Sequence, residues 1–307
     1  MRKTLIVILG PTGIGKSDLA IQIAQHFQTE IISADSRQIL RELSIGTAVP
    51  PQRDLERVKH HLIQHRSIHD YYSASVFEQE ALQIIEERFT AKDWLVVTGG
   101  SMMYIDVLCN GIDDIPNADP QIRARLIREY EEQGLEHIRL QLKQLDPDYY
   151  DLVDLKNAKR IIHAVEICLT SGRTYSSMRK ATRKQRPFQI IKIGLNCERE
   201  QLYNRINLRV DKMIEMGLEQ EARSVFAHHQ LNSLNTVGYK ELFAYFSGEI
   251  TREQAIELIK RNSRRYAKKQ LSWFRRDPQI SWFTPEQLSE IIQLIKEQTE
   301  QDEQQTT

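Results

Sequence analysis

The chain of 307 residues has only three cysteines, no excess of either charge and no long hydrophobic run. Cys109, Cys168 and Cys197 are far apart and odd in number, which argues for reduced thiols in a cytosolic protein and against a zinc module. No stretch is long enough to cross a membrane, and the apolar run after Lys3 ends at Gly10, too early for a signal peptide. The 42 basic and 42 acidic residues cancel, so net charge identifies no partner. We expect a cytoplasmic protein with no membrane contact.

Residues 4–17, TLIVILGPTGIGKS, carry a phosphate-binding motif in the setting that it requires. Six β-prone residues run into the spacing G-x-x-x-x-G-K-S, and a helical pattern follows. Glycines allow successive N–H groups to turn towards one anion, and the positive end of the helix dipole points at the same place. Lys16 adds a cation, and Ser17 can ligate Mg²⁺. The residues predicted to bind a diphosphate or triphosphate group are Gly10, Pro11, Thr12, Gly13, Ile14, Gly15, Lys16 and Ser17.

A second short strand, residues 30–35, ends in Asp35. In open parallel sheets the ligand crevice lies beyond the carboxyl ends of the strands, so we expect Asp35 to face the space above the phosphate loop. There an aspartate can accept a proton or orient an attacking amine or hydroxyl. It can also cap the following helix, and the two roles are compatible.

A third strand, Trp94–Thr98, runs into Gly99, Gly100 and Ser101. Nucleotide hydrolases often place an aspartate after such a strand, and its absence here argues against a hydrolase while leaving a kinase open. Paired glycines permit close approach of a ligand or of another backbone, although a simple tight turn would explain them equally well. Ser101 offers a hydroxyl group at this strand end.

The composition changes at residues 110–120, which are rich in turn formers. Helical patterns follow at 121–133, 135–145 and 156–171, before a further strand at Gln189–Leu195. These features predict an α/β protein in which an all-helical domain is inserted into a parallel sheet. We place the catalytic core at 1–112 and 187–297, including helical C-terminal material, the inserted domain at 113–186, and a disordered tail at 298–307.

Two stretches of this neutral chain are strongly basic. Lys156–Arg186 holds nine Lys or Arg residues against one acid, Glu166, and Lys260–Arg276 holds eight with no acid. The second stretch also contains three aromatic residues, Tyr266, Trp273 and Phe274. A single basic run is usually a solvated face, but two runs with aromatic residues in one of them favour RNA as a partner.

Three cations lie on one face of the helix that follows the last predicted sheet strand. Arg205, Arg209 and Lys212 are spaced i, i+4 and i+7, so they can close over a phosphate group in the loop. A surface ladder with nearby acids is the alternative. Residues 45–75 are irregular, and the pair His60–His61 there lacks the spacing of a metal site.

Taken together, these segments resemble the tRNA dimethylallyltransferases, which are also called IPP transferases. The resemblance rests on eight motifs in order: GPTGIGKS at 10–17, ADSRQ at 34–38, SIGTAVP at 44–50, GGSMMY at 99–104, KRIIHAVE at 159–166, RVDKMIEMGL at 209–218, VGYKEL at 237–242 and SRRYAKKQLSWFRRD at 263–277. It implies a P-loop kinase-like sheet with flanking helices and a helical insertion that grips the anticodon stem-loop. The implied reaction moves a dimethylallyl group from dimethylallyl diphosphate to N6 of adenosine 37.

The resemblance also implies roles for individual residues. The loop would hold the prenyl diphosphate rather than ATP, Lys16 and Arg209 would neutralise the leaving group, and Ser17 would hold Mg²⁺. Asp35 matches the general base, and Ser101 matches a position that contacts the target nucleotide. The residues implied in tRNA binding are Asp35, Ser36, Arg37, Gln38, Ser101, Arg123, Lys159, Arg160, Ile161, Ile162 and His163. We expect a monomer whose partners are tRNA and dimethylallyl diphosphate.

Two departures from the family pattern affect tRNA preference more than the reaction. Met102 stands where the family usually has glycine, and His163 stands where it often has arginine. Three other functions remain open from the residues alone: a P-loop small-molecule kinase, a prenyltransferase that acts on free adenine nucleotides, and a non-enzymatic RNA-binding module. The second of these would not need the basic insertion.

Overall fold

The computed structural model describes residues 3–117, 119–180 and 183–306, and the side chains only as far as residue 300. It divides into two compact units. The core unit is Met1–Cys109 with Arg186–Thr307, and the helical unit is Asn110–Gln185. Four residues of the predicted inserted domain and tail lie outside the described residues, namely 118, 181, 182 and 307.

A parallel sheet of six strands forms the centre of the core unit, in the order β3-β2-β4-β1-β5-β6. The strands are β1 (Thr4–Leu9), β2 (Ile31–Ser33), β3 (His60–His61), β4 (Trp94–Thr98), β5 (Gln189–Leu195) and β6 (Ile280–Phe283). β1 lies between β4 and β5, with Thr4 opposite Trp94 on one side and Gln189 on the other. All six residues of β1 are buried, as expected for a strand covered by helices on both faces. The predicted parallel α/β sheet is thereby confirmed.

The helices of the chain are α1 (Lys16–His26), α2 (Gln52–Arg57), α3 (Ala74–Phe89), α4 (Met102–Asn110), α5 (Pro120–Leu145), α6 (Pro147–Leu152), α7 (Ala158–Ser171), α8 (Tyr175–Met178), α9 (Arg199–Glu215), α10 (Leu218–Ser224), α11 (Tyr239–Phe246), α12 (Arg252–Phe274) and α13 (Leu288–Thr306). One core cluster joins the sheet to α1, α9 and α13 and includes Ile6, Ile23 and Ile291. A second cluster, around the fully buried Tyr239, joins α9, α10, α11 and α12. These clusters fix the elements that surround the carboxyl end of β1.

Three expectations about local structure were wrong. Residues 52–61 contain α2 and β3 rather than loop alone, and β6 follows what was expected to be helical material only. The tail is helical from Gln298 to Thr306 as the end of α13. Thr299 is buried and donates a hydrogen bond to Ile295 O, while Gln298 O accepts one from Gln189 of β5. Contacts with β5 and within α13 thus order the first residues of a tail whose polar composition predicted disorder.

The helical unit packs α5 against α7. Its core includes Leu126, Ile138, Leu142, Ile161 and Val165. The predicted break between two helices is confirmed, because Gly134 has φ 79° and ψ 177° inside α5. A Cβ atom is disfavoured at this φ, so glycine allows the chain to bend here.

Candidate functional site

The phosphate-binding loop connects the central strand β1 to α1. Gly10 and Gly13 have φ values of 146° and 80°, which glycine adopts without strain. A Cβ atom on Gly10 would lie 2.7 Å from Leu195 O, and one on Gly13 would lie 2.8 Å from a side-chain carbon of Ile206. The loop is therefore packed so closely against β5 and α9 that only glycine fits at these two positions.

The loop's polar groups are not all directed at a ligand. The amide of Thr12 donates to Gln270 Oε1 at 2.8 Å, and the Lys16 ammonium donates to Pro11 O at 2.9 Å. Gln270 lies on α12 and is 1% exposed. It also donates from Nε2 to Gly100 O at 2.8 Å. A single buried amide therefore joins the loop after β1 to the turn after β4.

Asp35 follows β2 and organises a tight turn. Its Oδ1 accepts hydrogen bonds from the amides of Arg37 at 2.9 Å and Gln38 at 3.4 Å. Gln38 in turn donates to Ala48 O and accepts from Ser33. No α-helix begins in this turn, so the carboxylate orders a loop instead of capping a helix. The turn fixes the direction of the Asp35 side chain.

The paired glycines after β4 allow a neighbouring backbone segment to approach closely. A Cβ atom on Gly99 would lie 2.1 Å from Ala34 O, so the strand ends of β2 and β4 touch through bare backbone. Ser101 is buried, and its Oγ accepts the amide of Ser36 at 2.8 Å and contacts Ser36 Oγ at 3.1 Å. Two of the predicted functional residues, Asp35 and Ser101, are thereby held on neighbouring strand ends.

Three charged side chains interact electrostatically above the loop. Burial, with a contribution from the positive charge of Arg209, lowers the pKa of Lys16 to about 7, and the charge of Asp35 opposes that shift. Burial likewise lowers the pKa of Arg209, again opposed by Asp35. Arg209 is a cation beside one carboxylate, and Lys16 can take up a proton near neutral pH, so the site is suited to an anion such as a diphosphate.

The three cations predicted on α9 do not act together. Arg209 faces Asp35 and Lys16, as expected, and Arg205 donates to Ile14 O of the loop at 3.2 Å. Lys212 is exposed and does not line the cavity described below. Only the first two cations therefore match the prediction that this face closes over the loop.

A cavity of about 320 Å³ lies beside these residues. Its lining includes the polar residues Thr12, Asp35, Arg37, Ser101 and Arg209. It also includes the apolar side chains Ile206, Val210, Met213, Leu218, Val237 and Ile259. Such a volume suits a small ligand that has one charged and one apolar part. Tyr266 also lines the cavity, and burial together with the charge of Asp35 raises the pKa of its hydroxyl to about 12.

One wall of the cavity is held by Glu221 of α10. Its carboxylate accepts the amides of Ser44 and Ile45 at 2.8 Å and of Gly46 at 2.9 Å, and the hydroxyl of Tyr239 at 2.6 Å. A Cβ atom on Gly46 would lie 2.6 Å from that hydroxyl. A carboxylate with four donors fixes the loop that carries Gly46 and Thr47 to the cavity.

Replacing Glu221 with alanine should destabilise the protein. Three amides and a buried hydroxyl would lose their acceptor, at a cost of about 3 kcal/mol or more of unfolding free energy. Urea unfolding of both forms measures the difference. Glu219→Ala on the same helix is the matched control, because its partly exposed pair with Arg252 should contribute less than about 1 kcal/mol. Equal stability losses in the two variants would contradict this interpretation.

Four of the residues predicted to contact tRNA lie together at the start of α7 and fall into two groups. Lys159 and Arg160 are exposed at the start of α7. Ile161 and Ile162 are 0% and 8% exposed and belong to the core of the unit. Their side chains are therefore not presented to an RNA surface, and they position their charged neighbours instead.

Arg123 and His163 both approach one oxygen of a fully buried carboxylate. Glu166 Oε2 is 3.6 Å from Arg123 Nη1 and 3.4 Å from His163 Nδ1. Both of these partners are nearly half exposed. They could therefore contact an RNA while Glu166 orients them from behind. The single acid of the first basic stretch thus has a structural explanation.

The second basic stretch forms an exposed face of α12 and the turn after it. Arg261, Arg265, Lys268, Lys269, Arg275 and Arg276 are exposed, and Trp273 is 37% exposed among them. Lys260 is instead paired with Asp211 at 2.7 Å. In the first stretch, Arg186 is also not a surface charge, because its side chain is buried against Glu78. The number of charges free to meet a polyanion is thus smaller than the sequence predicted.

The described residues contain no group of three or more His, Cys, Asp or Glu side chains placed to hold a metal ion. Ser17 is exposed in the first turn of α1, next to Lys16. Mg²⁺ commonly takes one or two protein ligands and completes its shell with phosphate oxygens and water. A single hydroxyl at the loop fits that mode of binding. His60 and His61 contact Val58 O and Glu30 respectively, as expected for structural residues. The three cysteines are free, with Cys109 and Cys168 buried.

Several site residues were not singled out from the sequence. Gln270 lies on a stretch that was interpreted only as basic and helical, and Glu221 lies on one that was given no role. Tyr266 was noted only as an aromatic residue of the second basic stretch, not as part of the cavity. For Gln270 a signal existed: it shares a buried helical stripe with Ala267 and Phe274, where an uncharged polar residue needs a partner. Within the part of the chain that the structure describes, no helix has the length and apolar character to span a membrane.

Comparison with known proteins gives consistent matches. A family model described as IPP transferase matches residues 38–277. Among curated proteins, tRNA dimethylallyltransferase 1 of Bacteroides thetaiotaomicron is 55% identical over 293 residues, which is 95% of each chain. The protein of the same name from Bacteroides fragilis is 53% identical over 294 residues, 96% of this chain and 98% of its own.

Solved structures show the same relationship. The tRNA isopentenylpyrophosphate transferase of Bacillus halodurans is 32% identical, with a TM-score of 0.73 and 99% of both chains covered. A eukaryotic dimethylallyltransferase acting on tRNA is 28% identical, with a TM-score of 0.78, over 94% of this chain and 75% of its own. The α/β fold with its parallel sheet is therefore shared over almost the whole length.

Proposed function

The chain belongs to the IPP transferase family, and from that premise we propose that it transfers a dimethylallyl group from dimethylallyl diphosphate to N6 of adenosine 37 in tRNA. The products are N6-(dimethylallyl)adenosine and diphosphate. The observation that carries this proposal is the cavity beside the phosphate loop, whose lining combines apolar side chains with Asp35, Ser101 and Arg209. The apolar side chains suit a prenyl group, and the charged ones suit its diphosphate and the attacking amine.

The phosphate loop acts on the leaving group in this proposal. The amine of adenine is a weak nucleophile, so the rate depends on how easily the allylic carbon–oxygen bond breaks. Lys16 and Arg209 stabilise the negative charge that develops on the departing diphosphate. Mg²⁺, held by Ser17 and by phosphate oxygens, would supply further positive charge there when bound.

Asp35 acts on the nucleophile. As N6 forms its bond to the allylic carbon, positive charge grows on the nitrogen, and a proton leaves from N6 to the Asp35 carboxylate. The carbon–oxygen bond breaks with its electron pair going to the diphosphate. Ser101, fixed on the neighbouring strand end through Ser36, can contact the target base.

The remaining predicted residues bind the tRNA. Arg123, Lys159, Arg160 and His163 on the helical unit and the exposed basic face of α12 would meet phosphate groups of the anticodon stem-loop. Adenosine 37 must leave its stack to reach the cavity, and the exposed Trp273 can stack a displaced base. Asp35, Ser36, Arg37 and Gln38 would surround the entering adenine. We also propose a cytoplasmic monomer, and the free thiols support the compartment.

A direct assay tests the proposed function. The purified protein is incubated with dimethylallyl diphosphate, Mg²⁺ and a tRNA transcript that carries adenosine 37, and the digested nucleosides are analysed by mass. We expect one dimethylallyl group per tRNA and none when guanosine replaces adenosine 37. Prenylated AMP in a parallel reaction would favour the alternative that acts on free nucleotides. Consumption of ATP with phosphorylation of a metabolite, and no prenylated tRNA, would favour a kinase.

Diphosphate binding should be linked to proton uptake by Lys16. Because the pKa of Lys16 is lowered to about 7, this amine is largely neutral at about pH 8 and becomes charged when an anion binds beside it. Calorimetric titration with inorganic diphosphate in two buffers of different ionisation enthalpy measures the protons exchanged. We expect wild type to take up more protons than Lys16→Met. Diphosphate itself also exchanges protons, but this contribution is the same in both forms and drops out of the comparison. Identical proton counts in the two forms would rule out this linkage.

A further inference from the structure

We propose that Gln270 is a positioning residue, which holds the phosphate-binding loop and the acceptor side of the cavity at a fixed separation. The buried side chain spans two backbone segments that end neighbouring strands. It accepts from Thr12 N at 2.8 Å and donates to Gly100 O at 2.8 Å. The role of Gln270 depends on the proposed function, because only a reaction between two bound substrates requires these segments to be kept in register.

A side chain with both a donor and an acceptor is needed at this position. The carboxamide supplies an acceptor for Thr12 N and a donor for Gly100 O in one rigid plane. Asparagine is one methylene shorter and cannot reach both partners from the same backbone position. An aliphatic residue would leave a buried amide and a buried carbonyl without partners.

The packing around Gln270 leaves little room for adjustment. A Cβ atom on Gly100 would lie 2.5 Å from Gln270 Nε2, so the bare backbone of Gly100 is part of the contact. The Tyr266 hydroxyl donates to the same Gly100 carbonyl at 3.3 Å. Ser101, the next residue, is bonded to Ser36 beside Asp35. Gln270 therefore connects the phosphate-binding loop, through Gly100, Ser101 and Ser36, to the turn that carries Asp35.

The consequences for catalysis follow from the geometry. A shift of about 1 Å between reacting groups can cost about 10²-fold in rate, while the separate binding of each substrate is affected less. Gln270 touches neither the predicted diphosphate position nor the adenine, so its loss should lower kcat and leave KM for tRNA nearly unchanged. A residue that served only global stability would instead lower the melting temperature without a selective effect on kcat.

Gln270→Glu offers a sharp test, because its protonation state changes the hydrogen bonds. The carboxylate still accepts from Thr12 N but cannot donate to Gly100 O, whereas the protonated acid can do both. Burial raises the pKa of such a carboxyl group, although the nearby Lys16 ammonium opposes this. The other charged and titratable groups around this position are Tyr266, whose pKa is affected by Asp35 and Arg37, and Arg209, which acts on Lys16. Dividing each rate by the wild-type rate at the same pH removes their contribution.

The experiment measures prenyl transfer to tRNA by wild type, Gln270→Glu, Gly100→Ala and, as a matched surface control, Gln293→Glu. At about pH 8 we expect kcat to fall about 10²-fold in Gln270→Glu and Gly100→Ala, while KM for tRNA changes less than about threefold. The activity of Gln270→Glu relative to wild type should recover as the pH falls towards about 5.5, and that of Gly100→Ala should not. The control should match wild type.

The outcomes separate the two proposals. An inactive wild type would remove the proposed function, and with it the basis for this role of Gln270. An active wild type with unimpaired Gln270→Glu and Gly100→Ala variants would overturn the positioning role alone. So would a loss that is the same at every pH and is matched by a lower melting temperature. If Gln270→Glu does not fold, Gly100→Ala still perturbs the same contact from the other side and decides the question.

Discussion

Asp35→Asn should slow prenyl transfer by about 10²- to 10⁴-fold, the usual contribution of a general base, while tRNA binding is retained. Asparagine preserves the turn, because its carbonyl oxygen can still accept the amides of Arg37 and Gln38. What it cannot do is take the proton from N6. Single-turnover rates with saturating substrates, together with filter binding of the tRNA, measure the two effects separately.

The same substitution distinguishes the catalytic from the structural role of Asp35. If the carboxylate only orders the turn, then Asp35→Asn should be nearly as active as wild type, and only Asp35→Ala should be impaired. Asp70→Asn is the matched control, since that carboxylate also accepts an amide in an exposed turn, from Ser67. Full activity of Asp35→Asn would remove Asp35 from the reaction, and a non-enzymatic RNA-binding protein would then have to be considered again.

The parts of the fold that could be predicted share a physical origin. β1, β4 and β5 were predicted to the residue, because a strand buried on both faces is rich in apolar residues, although Lys192 interrupts the run in β5. β3 has two residues, His60 and His61, and β6 carries a serine and a tryptophan that are only partly buried. Neither has the pattern of a buried strand. They exist because β2 and β5 offer unpaired edges, which is information from elsewhere in the chain.

The candidate site likewise has residues that could be predicted from the sequence and residues that could not. The phosphate loop could be identified because its function is encoded in consecutive residues with a fixed spacing. The partners of Gln270 and Glu221 could not be identified, because they lie about 170 or more residues away in the chain, as Thr12, Gly100 and Ser44 do. The buried helical stripe could mark Gln270 only as a polar residue that needs a partner. A charge count has a similar limit: Arg186 looked like part of an RNA-binding run but pairs with Glu78 inside the core unit.

Lys16→Met should have opposite effects on catalysis and stability. Removing the ammonium group takes away a cation that stabilises the leaving diphosphate, and we expect kcat to fall about 10²- to 10³-fold. The folded protein, however, holds this amine in an environment that lowers its pKa from 10.5 to about 7. The unfolded chain therefore binds more protons than the folded chain between these two values, so wild-type stability increases with pH across that window.

The stability of Lys16→Met should accordingly exceed that of wild type at about pH 6, where the buried amine is charged in both states and its full desolvation penalty is present. The difference should shrink as the pH rises through the window between about 7 and 10.5, because the folded wild type is then already neutral at this position. Thermal melts without substrate at about pH 6 and pH 9, compared with single-turnover rates, test both effects. Lys296→Met on the exposed face of α13 is the control and should shift neither. A melting temperature below wild type at the lower pH would mean that Lys16 stabilises the fold, and the loss of rate could then not be assigned to the leaving group.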